Sequence, residues 1–167
     1  MKIRLGKPGD KRCKDKIQID PWDTWSMDKT LAEIILPMLI QLKETKHGTP
    51  CNVPIYDEHP NMWDGSPMTD EEYDRILEIG EKQWDDILDQ MIWSFTQLNL
   101  KDDGEDQFWR QHPEIDFDEY PEDKGKPSTP LRWKVEGDLD FEGLKAHRAK
   151  VQKGLELFGK YYSNLWD

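Results

Sequence analysis

The stretch that decides the fold is Thr69–Leu98, TDEEYDRILEIGEKQWDDILDQMIWSFTQL. Within it Tyr73, Ile76, Leu77, Gly80, Trp84, Ile87, Leu88, Met91, Phe95 and Leu98 recur in steps of three and four, which lines one face of an α-helix with apolar groups. Thr69-Asp-Glu-Glu72 opens it with a capping box, in which the threonine hydroxyl and a glutamate three residues on satisfy free backbone donors. The spacing predicts a helix over 69–98, ~45 Å long at 1.5 Å per residue.

A second helix is predicted upstream, over 26–46. Met27, Leu31, Ile34, Ile35, Met38 and Leu42 share a 3.6-type period. Thr24 or Ser26 is placed to cap its start, and Asp28 suits the positive end of the helix dipole. Lys43 and Lys46 complement the other end, Gly48 offers a stop and Pro50 forbids continuation. Pro37 predicts a kink. A third helix is expected over 141–165, with Leu144, Val151, Leu155, Phe158, Tyr162 and Leu165 along one side. Asn52–Met68, with three prolines, and Lys101–Gly137, rich in Asp, Glu, Gly and Pro, read as loops. The expected architecture is all-α, a bundle of three long helices with irregular acidic crossovers, as one domain over 21–167. Residues 1–20 read as a basic mobile arm, with Ile17–Asp20 as a short extended lead-in.

At 167 residues the chain suits one domain with one core, and eight Trp among its aromatics argue against a disordered polyanion, although 35% of the residues are charged. The basic start has no apolar run, so no secretory signal is expected. Leu31–Leu42 contains Glu33 and Pro37 and is too short to span a bilayer. Cys13 and Cys51 have no metal-type spacing, so reduced thiols and a cytosolic setting are expected. Residues 1–20 carry seven Lys/Arg against three Asp, whereas Asp57–Lys124 carries 22 acidic and five basic residues. Such a field disfavours direct nucleic-acid binding and favours a basic partner surface or divalent cations.

Several blocks resemble a family of small tailed-phage proteins. They are Asp20-Pro-Trp-Asp-Thr-Trp-Ser-Met-Asp-Lys-Thr-Leu-Ala32 running into Ile35-Leu-Pro-Met-Leu39 and Lys46-His-Gly-Thr-Pro50, then Trp84-Asp-Asp-Ile-Leu-Asp-Gln-Met-Ile92, then Gly154-Leu-Glu-Leu-Phe-Gly-Lys-Tyr-Tyr-Ser-Asn-Leu-Trp166. The resemblance spans about half the chain and leaves the acidic insert at 104–137 unmatched. It implies a phage origin and expression in the cytoplasm of an infected bacterium. It carries over no catalytic residue.

Three clusters carry candidate chemistry. Glu78, Glu81, Asp85, Asp86 and Asp89 form a carboxylate row at helical spacing, suited to a basic partner surface. The row also mimics the paired acidic motifs with which all-α nucleotide pyrophosphohydrolases hold Mg²⁺, although there the pairs face each other from different helices. It would equally serve as a solvated helix face. Trp22 and Trp25 would stack a planar ligand or staple the first helix. Lys145 and Arg148 on the basic third helix would meet an anionic ligand or offset the acidic helix across the bundle. Glu44-x-x-His47 lacks a second copy, the other histidines are scattered, and Asp102-Asp-Gly-Glu-Asp106 reads as a turn, so no metal site and no cofactor is expected. No GxSxG, Walker or GxGxxG motif occurs.

The leading expectation is thus a phage accessory protein that binds a basic host protein stoichiometrically, in counter-defence or host-factor inhibition. A sponge for a nucleotide signal and a Mg-dependent pyrophosphohydrolase are the alternatives. The long apolar stripes also make a homodimer reasonable.

Overall fold

The computed structural model describes residues 2–3, 17–64, 66–116, 118, 120, 123–124 and 132–166. In chain order these form β1 (Lys2–Ile3), β2 (Ile17–Gln18), a 3₁₀ turn (Pro21–Thr24), α1 (Met27–Thr45), α2 (Pro54–Glu58), α3 (Asn61–Asp64) and α4 (Asp70–Leu98). After α4 come two 3₁₀ turns (Lys101–Gly104 and Asp106–Phe108), β3 (Trp109–Gln111), β4 (Glu114–Asp116), β5 (Arg132–Val135), β6 (Asp138–Leu139), α5 (Phe141–Lys160) and a last 3₁₀ turn (Tyr162–Asn164). The chain is mostly helical, with three long helices.

α4 follows the expected bounds, and the Thr69 hydroxyl accepts from the Glu72 amide as the capping motif requires. It is the shared partner: α1 and α5 each pack along it, with no packing of comparable extent between α1 and α5. Both run antiparallel to it. Lys29 near the start of α1 meets the Leu98 carbonyl, whereas Lys46 just past its end meets Asp85. Trp93 stacks on His147, and Trp84, further back along α4, on Tyr161. The core is Trp84, Ile87, Leu88, Met91 and Phe95 of α4, with Ala32 and Leu39 of α1, Val53, Ile55 and Tyr56 from the α2 region, and Leu157 and Tyr161. Two glycines let α4 be approached closely. A Cβ at Gly154 would collide with Ser94 and lie 2.7 Å from the Gln90 carbonyl, and a Cβ at Gly80 would lie 2.5 Å from the Tyr56 hydroxyl.

Four expectations need correction. The chain is not wholly helical, because the long acidic crossover holds two antiparallel ladders, β3 with β6 and β4 with β5. Asn52–Met68 is not plain loop: Pro54, preset at the first helical position, starts α2, and α3 follows Pro60. The third helix ends at Lys160, and the core takes Tyr161, leaving Tyr162 exposed. In α1 the buried side chains are Ala32 and Leu39, while Met27, Leu31 and Met38 of the expected core face are exposed. The extended lead-in at Ile17 is a short strand paired with Lys2–Ile3, and the rest of the basic arm, residues 4–16 with Cys13, lies outside the described residues. α1 runs through Pro37 without interruption, with the proline on its exposed side.

Candidate functional site: an acidic cleft at the open end of helix α4

Glu71, Asp74, Glu78, Glu81, Asp85 and Asp89 succeed one another along α4 at three- and four-residue steps, so they share one face. Along the part of α4 that α1 covers, this row is paired. Lys43 holds Asp89 at 2.5 Å, and Lys46, itself nearly buried, lies 3.3 Å from Asp85 and 3.8 Å from Glu81. α1 ends at Thr45 and the chain turns away, but α4 extends farther toward Asp70. There the row continues bare: no described side chain forms an ion pair with Glu71, Asp74 or Glu78. Asp86 lies beside the row and likewise forms no ion pair with a described side chain; the side chain of Gln90 reaches back to its carbonyl at 3.1 Å.

At this open end lies a cleft of about 500 Å³, walled by Lys46, His47, Tyr56, Trp63, Asp74, Leu77, Glu78 and Glu81. Its aromatic wall follows from the short helices. Buried Val53 and Ile55 anchor α2, and the Ile55 amide donates to Gln83 Oε1 at 2.9 Å, pinning α2 on α4. The Tyr56 ring then occupies the space that Gly80 leaves open, and Trp63 from α3 packs edge-on against it at 5.7 Å while staying exposed. Burial, reinforced by the nearby Tyr73 and Glu81, raises the Tyr56 phenol above its ordinary range, so this hydroxyl stays protonated. A cleft with bare carboxylates beside an indole face suits ammonium or guanidinium groups, which gain both charge pairing and cation–π contact.

The remaining candidates sit elsewhere. Asp20 accepts from the Trp22 amide, and Asp23 accepts from the Asp20 amide, forming a capping box around the 3₁₀ turn. The rings of Trp22 and Trp25 do not staple α1: they pack on each other at 6.0 Å and stay exposed, while the Trp25 amide closes the 3₁₀ turn by donating to the Trp22 carbonyl at 3.2 Å. Ser26 makes no side-chain cap, and Thr24 donates to the Pro21 carbonyl. Arg148 is engaged within the chain by a two-pronged pair with Glu105, both bonds 2.7 Å, which holds the Glu105 carboxyl below its usual range. Lys145 is exposed on α5. Neither the Trp pair nor Lys145 or Arg148 lines the acidic cleft, the aromatic cleft of about 360 Å³ between Trp109, Trp133 and Phe141, or the smaller one of about 270 Å³ beside Trp84 and Trp166.

The Asp102-Asp-Gly turn expected at 102–106 is present, with Asp102, Asp103 and Gly104 all at positive φ. Lys29 holds it, donating to the Leu98 carbonyl at 2.8 Å, to the Leu100 carbonyl at 3.3 Å and to the Asp103 carboxylate. On the other side the buried His147 donates from Nε2 to the Asp103 carbonyl at 2.9 Å and stacks between Trp93 and Phe108. Among the described residues no group of three or more His, Cys, Asp or Glu is arranged to hold a metal ion, and no helix is long and apolar enough to cross a membrane.

Sequence reasoning found Glu78 and Glu81 but missed Tyr56, Trp63, Asp74 and Leu77 as wall residues. The available signal was a tryptophan and a tyrosine inside a proline-punctuated segment, with Pro54 marking a helix start. Comparison with known proteins returns no matching family model, no matching curated protein and no matching solved structure.

Proposed function

We propose that the chain is a bacteriophage accessory protein that works by stoichiometric binding in the cytoplasm of the infected bacterium, docking a basic segment of a host protein into the acidic cleft. The three long helices serve as a bundle, centred on α4, that presents this cleft. Counter-defence or inhibition of a host factor is the consequence of that binding.

One observation supports the reading above the others. The carboxylate row is neutralised by Lys43 and Lys46 where α1 lies on it and is left bare where α1 stops, beside the exposed Trp63. The intramolecular half supports this choice of partner chemistry, since there the row is met by cations three residues apart on a neighbouring segment. A partner continuing that pattern would pair with Asp74 and Glu78 and rest an aliphatic or guanidinium group on Trp63. Glu81, Asp85 and Asp89 are already engaged by lysines, so they contribute to the field more than to direct contact.

The test is affinity capture from infected-cell lysate with the wild-type chain, Asp74→Lys/Glu78→Lys, and Trp63→Ala, each read by mass spectrometry and titration of the captured protein. A single host protein captured one-to-one, released by moderate salt and lost with both variants, is expected. Capture that is indifferent to salt and to both variants refutes the proposal.

A further inference from the structure

One side of α1 carries an apolar strip that, among the described residues, packs on no part of the core. Positions 27, 31, 34, 38, 41 and 45, filled by Met, Leu, Ile, Met, Gln and Thr, alternate by four and three residues, the a/d spacing of a helix that packs along one other helix. Positions 30, 35 and 42 flank them with Thr, Ile and Leu, so no charge interrupts the strip from Met27 to Thr45. In a chain with 35% charged residues and net charge −12, that is a segregated surface. None of Met27, Leu31, Ile34 and Met38 belongs to the core cluster or packs against it. Trp22 and Trp25, exposed and packed on each other at 6.0 Å, immediately precede it in the chain.

We infer that this strip is the seam of a homodimer, in which a second copy of the chain lays its own α1 along the first about a two-fold axis. The area is sufficient. Trp22 and Trp25 expose 76% and 82% of their surface, and Met27, Leu31 and Met38 expose 56%, 42% and 59%. With ~200 Å² for an indole and ~100 Å² of apolar surface for an aliphatic side chain, the strip offers roughly 500 Å² per copy. Two copies then bury on the order of 1,000 Å², the low end for a specific interface and the size of a weak, reversible association. Charge selects the place: like-charged copies repel over most of their surface, and this face lets them approach without setting carboxylate against carboxylate. A two-fold axis also makes the heptad strip its own complement, since each protomer supplies the same knobs and the same gaps.

The inference is independent of the proposed function, and salt separates the two. Docking of a basic segment weakens as salt rises, whereas association of two copies strengthens as their repulsion is screened. Sedimentation velocity on the full chain, from about 1 to about 200 µM, at low and at high salt, is the experiment. A reversible monomer–dimer equilibrium that shifts toward dimer with added salt is expected. Leu31→Glu/Met38→Glu, at exposed positions, should leave the far-UV spectrum unchanged, melt with the wild type at concentrations where the wild type is monomeric, and abolish the dimer. Tyr162→Glu, exposed elsewhere, should dimerise as wild type. A wild-type chain that stays monomeric throughout, or a double variant that dimerises normally, overturns the inference.

Discussion

Replacing Gly154 by alanine should destabilise the fold although helix propensity favours it. In an open helical site, Gly→Ala stabilises by about 0.5–1 kcal/mol. Gly159, with nothing within 4 Å of an added Cβ, is such a site on the same helix. At Gly154 the new methyl meets the Ser94 side chain, with Cβ at 2.6 Å, and the Gln90 carbonyl at 2.7 Å. Ser94 can rotate its hydroxyl away, but the Gln90 carbonyl belongs to the backbone of α4 and moves only with the helix. Overpacking of this kind costs about 1–3 kcal/mol, so after the propensity gain the net loss reaches up to about 2.5 kcal/mol. For a chain of this size that lowers the melting temperature by up to roughly 10 °C. Thermal and urea unfolding followed by circular dichroism would compare wild type, Gly154→Ala, Gly159→Ala and Ser94→Ala/Gly154→Ala. The expected order places Gly159→Ala at or above wild type, Gly154→Ala lowest and the double variant between. A Gly154→Ala protein as stable as Gly159→Ala would refute the close helix approach on which the core rests.

Lys29→Met removes the donor shared by the Leu98 and Leu100 carbonyls and the Asp103 carboxylate; urea unfolding should show a loss of about 1 kcal/mol, since the bonds to Leu98 and Asp103 are part-buried whereas that to Leu100 is exposed to water. The Glu105 carboxyl is lowered chiefly by its bond to Arg148, so the pair stabilises the fold above the ordinary glutamate range and ceases to do so as pH falls through the folded value. Stability curves of wild type and Arg148→Ala should therefore be separated at neutral pH and converge in acid, with the Glu105 carbon resonance of the variant titrating at higher pH. Lys43→Ser/Lys46→Ser lengthens the bare part of the carboxylate row, and isothermal titration with an oligolysine peptide should show tighter, more salt-sensitive binding than wild type.

α4 was legible in the sequence because its cap, its period and its length all agree, and such agreement is what marks a strong local signal. α1 was legible as a helix but not in its orientation. It carries two apolar stripes, one through Ala32, Ile35, Leu36, Leu39 and Leu42 and another through Met27, Leu31, Ile34 and Met38, and periodicity cannot tell which one meets α4. The same ambiguity of phase placed Tyr162 in the core where Tyr161 belongs. The small ladders were hidden because strands of two to four residues are too short to display an alternation. The carboxylate row could be read from spacing alone, but its division into paired and bare halves could not. That division depends on where α1 ends against α4, a through-space relation between Lys46 and residues 35 to 39 positions away.

The distribution of indoles has a spectroscopic consequence. Of the eight tryptophans, Trp22, Trp25, Trp63, Trp133 and Trp166 face water, and Trp84 alone is fully enclosed. Steady-state emission from the folded chain is therefore dominated by hydrated rings and sits to the red, so denaturation shifts it little. Contact with a partner or a second copy that covers those same rings would, by contrast, dry them and move the spectrum toward the blue. Intrinsic fluorescence would then report association, and acrylamide quenching would sort the water-facing fluorophores from the one that senses the interior.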